Sequence, residues 1–147
     1  MKLIDFIVCD DIRHEVGGKQ TLVGVYSDRI VFQTNTPEAK WPVSKSLGIV
    51  LRFKVDKSDP PFDGFDITLD LNIDSSTRPN QLAKVEGIIK KKGAEKLLVL
   101  NFKTQLNFPG PGEMSLNANF TKGQELVQSF KSELVILISE KNQGAPE

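Results

Sequence analysis

Apolar and polar residues alternate along most of this chain. In residues 47–55, LGIVLRFKV, Leu47, Ile49, Leu51, Phe53 and Val55 fall on one face, while Gly48, Arg52 and Lys54 fall on the other. Residues 65–74, FDITLDLNID, alternate more cleanly, with Phe65, Ile67, Leu69, Leu71 and Ile73 set against Asp66, Thr68, Asp70, Asn72 and Asp74. A period of two makes a strand with one wet face; a helix would scatter these apolar residues around its circumference. Leu98, Leu100, Phe102, Leu106 and Phe108 share one parity, with Thr104 the polar member, and Met114, Leu116, Ala118 and Phe120 repeat the theme. Phe130, Leu134, Ile136 and Ile138 share a last parity while Val135 and Leu137 fill the opposite face. That pattern predicts one final strand, covered on both sides near its end.

Turn residues punctuate these runs at Ser58 to Pro61, Ser75 to Asn80, Lys92 to Glu95, Pro109 to Gly112 and Lys122-Gly123. Thr36 to Ser46 either begins a short helix at Pro37 to Lys40 or is loop, since Pro42 stops any helix early. Trp41, beside Pro42, is expected to lid the core. The reading is therefore all-β: an antiparallel β-sandwich, immunoglobulin-like, of about eight strands. Residues 1–139 form the domain and the polar residues 140–147 a flexible tail.

A chain of 147 residues fits one domain. At this mass roughly two-thirds of the unfolded surface can be buried. The formal net charge is zero, so no global field draws the protein to nucleic acid or to an anionic membrane. Cys9 stands alone, which excludes an internal disulfide and fits a reducing compartment. Lys2 precedes an apolar run, as in a signal peptide, but Asp5 interrupts it and Asp10, Asp11 and Arg13 follow. The longest apolar run, Leu134 to Ile138, is far too short to span a bilayer. These features predict a cytoplasmic protein.

Candidate chemistry gathers in Val8 to Asp28, VCDDIRHEVGGKQTLVGVYSD. Gly17-Gly18-Lys19 fails as a phosphate loop: Gln20 follows the lysine, Arg13 stands where the first glycine belongs, and a strand-like run follows. Ile12 to Val16 going out and Gln20 to Tyr26 returning make a hairpin, with Gly17-Gly18 supplying positive φ. Asp10, Asp11, Arg13, His14 and Glu15 are the candidate site. Strand parity would let Cys9 converge with Asp11, and Asp10 with His14. One histidine and one cysteine make a poor zinc set, so a metal or hydrolase site would rest on carboxylates. The structural alternative buries Cys9 and pairs an aspartate with Arg13.

A second candidate is the loop VDKSDPPFDGFD, where Asp56, Asp59, Asp63 and Asp66 offer the oxygen ligands of a hard cation without the spacing of an EF-hand. Charge is also segregated: residues 56–74 carry six aspartates against Lys57, and residues 84–103 carry Lys84, Lys90, Lys91, Lys92, Lys96 and Lys103 against Glu86 and Glu95. Cross-strand pairing accounts for this if Ile67 lies opposite Ile89, Leu71 opposite Val85 and Asp66 opposite Lys90. The competing reading is a weak nucleic-acid binder using Lys84, Lys90, Lys91 and Lys92, though no aromatic stacking platform is interleaved with them.

Cys9-Asp10-Asp11-Ile12-Arg13, then Glu15, Gly18-Lys19, Thr21-Leu22, Gly24 and Tyr26, resembles the N-terminal signature of an uncharacterised bacterial family, a domain of unknown function. The match is confined mainly to residues 6–32. It implies a small bacterial or phage-borne cytoplasmic protein and supplies no catalytic residue.

The expectation is a non-enzymatic binding or protein-interaction module with a protein partner, able to self-associate through an edge strand or an exposed sheet face, with no cofactor and no membrane segment. Its competitors are a carboxylate-based metal-binding domain or hydrolase, and the lysine-strand nucleic-acid binder.

Overall fold

The structure, a computed structural model, describes residues 1–34, 41–59, 64–75, 79–89, 97–132 and 135–142. Ten strands account for most of them: β1 (Lys2–His14), β2 (Gln20–Tyr26), β3 (Arg29–Thr34), β4 (Val43–Lys54), β5 (Asp66–Ser75), β6 (Pro79–Ile88), β7 (Leu97–Phe108), β8 (Gly112–Lys122), β9 (Glu125–Lys131) and β10 (Ile136–Asn142). One sheet runs β2-β1-β4-β7; the other runs β3-β10-β8-β5-β6, with β9 also paired to β8. The second sheet curls into a half-barrel.

The all-β reading holds. Every apolar residue read as inward on β5 and β8 is buried, from Ile67 to Ile73 and from Met114 to Phe120. Leu47, Ile49, Leu51 and Phe53 of β4 meet them from the other sheet in one shared core. Phe53 stands edge-on to Phe120, with ring centroids 5.3 Å apart. Trp41 lids this core as expected, edge-on to Phe32 at 5.4 Å, with its Nε1 donating to Glu140 Oε2 at 2.8 Å.

Several expectations need correction. There are ten strands among the described residues, and β10 pairs with β3 in parallel, so the second sheet is mixed. Residues 43–46 are strand, the start of β4. The single final strand is two, because β9 and β10 share one edge of β8: β10 takes Gly112 to Met114 and β9 takes Asn117 to Lys122. Ser132 fills the gap. Its N–H donates to Leu116 O at 2.9 Å, and its Oγ accepts from Leu116 N–H at 3.1 Å. The strand also runs past residue 139 to Asn142, and residues 143–147 of the expected tail lie outside the described residues.

The β5–β6 register is shifted by two from the expected one. Asp66 lies opposite Ile88, Leu69 opposite Val85 and Leu71 opposite Ala83. Gly64 N–H donates to Ile89 O, and Ile89 N–H to Phe65 O. A shift of two keeps every side chain on its face, so the hydrophobic pattern cannot tell the two registers apart. Asp66 therefore does not face Lys90, which lies outside the described residues. Asp70 stands opposite Lys84 instead.

Candidate functional site

The hairpin forms as the sequence suggests. The β1–β2 ladder runs from Val8↔Tyr26 to His14↔Gln20, and Glu15 N–H donates to Lys19 O at 2.8 Å to close the loop. Gly17 and Gly18 carry φ of 83° and 74°, which side chains resist. No phosphate cradle is built, because a second strand follows in place of a helix.

In this hairpin Asp10 and Asp11 take separate partners, and Cys9 does not converge on the Asp11 carboxylate as strand parity suggested. Asp10 accepts a hydrogen bond from the Tyr26 hydroxyl and lies 3.7 Å from Lys45 Nζ. Its carboxylate crosses directly over Gly24, where the ladder skips a pair, φ is 66°, and a Cβ would collide with it. Asp11 turns elsewhere: Lys103 Nζ is 2.5 Å from Oδ1, and Arg13 Nε is 3.5 Å from Oδ2. The Lys103 hydrogen bond holds the Asp11 carboxyl below the usual carboxylate range, helped by Ile12 N–H and Arg13. Glu15 accepts from Thr21 Oγ1 at 2.7 Å, and His14 is exposed. Cys9 does not join Asp11's carboxylate; its Sγ lies 3.4 Å from the Asp11 carbonyl oxygen.

Cys9 is fully buried with Ile12 and Val50 in a second small cluster. A strict period of two would put Cys9 and Ile12 on opposite faces, yet both reach this cluster. Gly48 leaves room beneath them: a Cβ there would sit 2.7 Å from Ile12 Cγ1 and 3.0 Å from Cys9 Sγ. Burial, with Asp10 and Asp11 close by, pushes the thiol pKa up, so the thiolate needed for nucleophilic attack is disfavoured. Burial and then the bond to Asp10 likewise push the Tyr26 hydroxyl up, keeping it a neutral donor.

The aspartate loop has its own cation. The Met1 α-ammonium is 2.6 Å from Asp59 Oδ1 and 3.7 Å from Asp56 Oδ2. Asp59 Oδ2 accepts from Asp56 N–H at 2.7 Å, and Oδ1 also accepts from Gln128 Nε2 at 3.4 Å. Burial pushes the Asp59 carboxyl up, but the ammonium, the Asp56 N–H and the Gln128 amide outweigh it and hold the group below its ordinary value. Asp66 opens β5 apart from this pair, and Asp63 lies outside the described residues. Among the described residues, no three His, Cys, Asp or Glu side chains come together as a metal site. Of the lysine candidates, Lys84 Nζ is 3.1 Å from Glu86 Oε1, and Lys90, Lys91 and Lys92 lie outside the described residues.

What the sequence reading missed is a seam between the sheets. β2 pairs with β1 only from Val8 onward and then crosses to the other sheet as β3. Lys2 to Ile7 therefore pair with β4 on one edge and, among the described residues, with no strand on the other. β9 faces this gap and, among the described residues, pairs only with β8. Between them lies a groove of about 250 Å³, walled by Met1 to Phe6 on one side and Phe130 to Ser132 on the other. Phe130 forms its floor, packed against Phe53 and Phe120 at 5.3 and 5.7 Å. Asp59 stitches one end by holding both Met1 and Gln128. The signal in the sequence was the mixed run Lys2 to Ile7, whose apolar residues follow no single parity.

The sequence matches no protein-family model and no curated protein. No helix among the described residues is long and apolar enough to cross a membrane.

Proposed function

We propose that this chain is a non-enzymatic interaction module, an immunoglobulin-like sandwich that binds an extended protein segment at the β1–β9 seam. The carrying observation is the edge of Lys2 to Ile7, unpaired among the described residues, beside an apolar-floored groove. Backbone N–H and C=O groups on such an edge recruit an added strand, and the neighbouring groove takes alternate side chains. The carboxylates that would serve hydrolysis are committed to Tyr26, Lys103, Arg13 and the Met1 ammonium, which supports binding over catalysis. A cytoplasmic setting, and kinship with the bacterial family that Cys9 to Tyr26 resembles, belong to the same proposal.

The test is photo-crosslinking in cells from a benzophenone amino acid placed at Ile4, at Lys131 or, as a control, at Val16 on the exposed hairpin tip. Adducts from Ile4 and Lys131 but not Val16 are expected. Adducts from Val16 alone, or from none of the three, would sink the reading.

A further inference from the structure

The seam's charges select among possible occupants. Lys2 and Lys131 are exposed on opposite walls of the groove, and neither has an ion-pair partner among the described residues. Among the described residues the other charges there have partners: Asp5 Oδ2 lies 3.1 Å from Arg52 Nη1, and the Met1 ammonium is shared by Asp59 and the half-exposed Asp56. Among the described residues, two unpaired lysines against one surplus carboxylate, Asp56, leave the rim net positive over an apolar floor of Leu3, Phe6 and Phe130, all packed against the core. The volume falls short of the roughly 300–1,000 Å³ that encloses small-molecule ligands, so the groove suits one or two side chains of a strand laid along it.

A second copy of this chain is a poor occupant. It would bring its own Lys2 and Lys131 against a rim whose unpaired charges, among the described residues, already include the same two lysines. The β1 ladder is also irregular between Leu3 and Asp5, with Ile4 43% exposed there. A bulge and an edge lysine are the devices by which sheet edges resist pairing with themselves. Opposite charge removes the second obstacle, and a flexible peptide adapts to the first.

We infer that the seam binds an extended acidic peptide segment whose apolar side chain enters the groove between Lys2 and Lys131. The inference rests on the interaction-module reading above. Carboxylates flanking the apolar residue would meet the two lysines, while backbone groups pair with the Lys2 to Ile7 edge.

Two fluorescein-labelled seven-residue peptides test it. Both alternate threonine with phenylalanine and valine; one ends in aspartates, the other in lysines. Binding is followed by anisotropy up to about 1 mM protein and by amide chemical shifts. The acidic peptide should bind about tenfold more tightly, since two exposed ion pairs replace two repulsions. Its shifts should centre on Lys2 to Phe6 and Phe130 to Ser132. The double variant Lys2→Glu/Lys131→Glu, with an unchanged melting temperature, should reverse the preference; the single variant Lys131→Glu should abolish it. Equal binding of both peptides at the seam would overturn the charge inference and leave the module reading standing. Binding of neither, or shifts centred elsewhere, would overturn both. A dimer in light scattering that Lys131→Glu strengthens would identify a second copy as the occupant and overturn the acidic-peptide inference.

Discussion

The two halves of β1 carry opposite lessons. Val8 to His14 hold the chain's densest chemistry, yet this half pairs with β2 on one edge, Val8 and Cys9 also pair with β4, and both aspartates are engaged. Lys2 to Ile7 look plain in sequence, yet among the described residues they keep one edge uncovered and wall a groove. Charge density marked a place where charges satisfy each other. The availability of the molecule lies where backbone groups go unpaired, which side-chain identity does not advertise.

The largest expected effect tests whether the seam sits on the main core. Phe53 is fully buried and touches Phe120 and Phe130. Phe53→Ala should cost about 3–5 kcal/mol by denaturant unfolding. Ile12→Ala, in the small cluster under the hairpin, should cost about 2 kcal/mol, the low end for such a truncation. Equal losses would erase the distinction between a core-backed seam and a peripheral hairpin.

Next comes the stitch at the seam's end. Asp59→Asn should lose about 2 kcal/mol at neutral pH, because hydrogen bonds to a charged group are broken in a side chain that is only 6% exposed. The folded carboxyl titrates below its unfolded value near 3.9, so its contribution is complete above that value. It is lost as pH falls through the lower folded value. The melting-temperature gap between wild type and Asp59→Asn should therefore narrow below about pH 4. A gap constant down to pH 2 would remove the ionic stitch from the account.

Ser132→Ala should cost about 1–2 kcal/mol by stranding the buried Leu116 N–H between β9 and β10. Hydrogen exchange should show Leu116 as the amide most accelerated; an unaltered Leu116 would mean that the backbone of Ser132 suffices. The smallest effect belongs to the hairpin. Asp11→Asn removes an exposed pairing with Lys103 and Arg13 and should leave the melting temperature nearly unmoved. A large fall would mean that the hairpin's charges matter to the fold as much as the seam does.

Much of the fold was legible in particular residues. The alternation in Ile67 to Ile73 and in Met114 to Phe120 specified strands and their inward faces, and both are buried as read. Gly17-Gly18 specified the bend. The hairpin's pairing of Asp11 with Arg13 was legible too, but Lys103, far along the chain, became Asp11's nearest cation through β4–β7 pairing. β3 escaped because Arg29 to Thr34 is short and pairs in parallel with a strand from the far end of the chain. The split of β9 from β10 escaped because parity continues unbroken across Ser132.

By itself, then, the sequence determined that the chain is β, which faces are apolar, and where it bends, because those follow from local periodicity and backbone sterics. Tertiary structure alone decided the β5–β6 register, the parallel β3–β10 pair, the ammonium at Asp59 and the open edge of Lys2 to Ile7. Each of these depends on which strand arrives beside which. Apolar burial is indifferent to a two-residue slip, and no local pattern records the neighbour that a strand lacks.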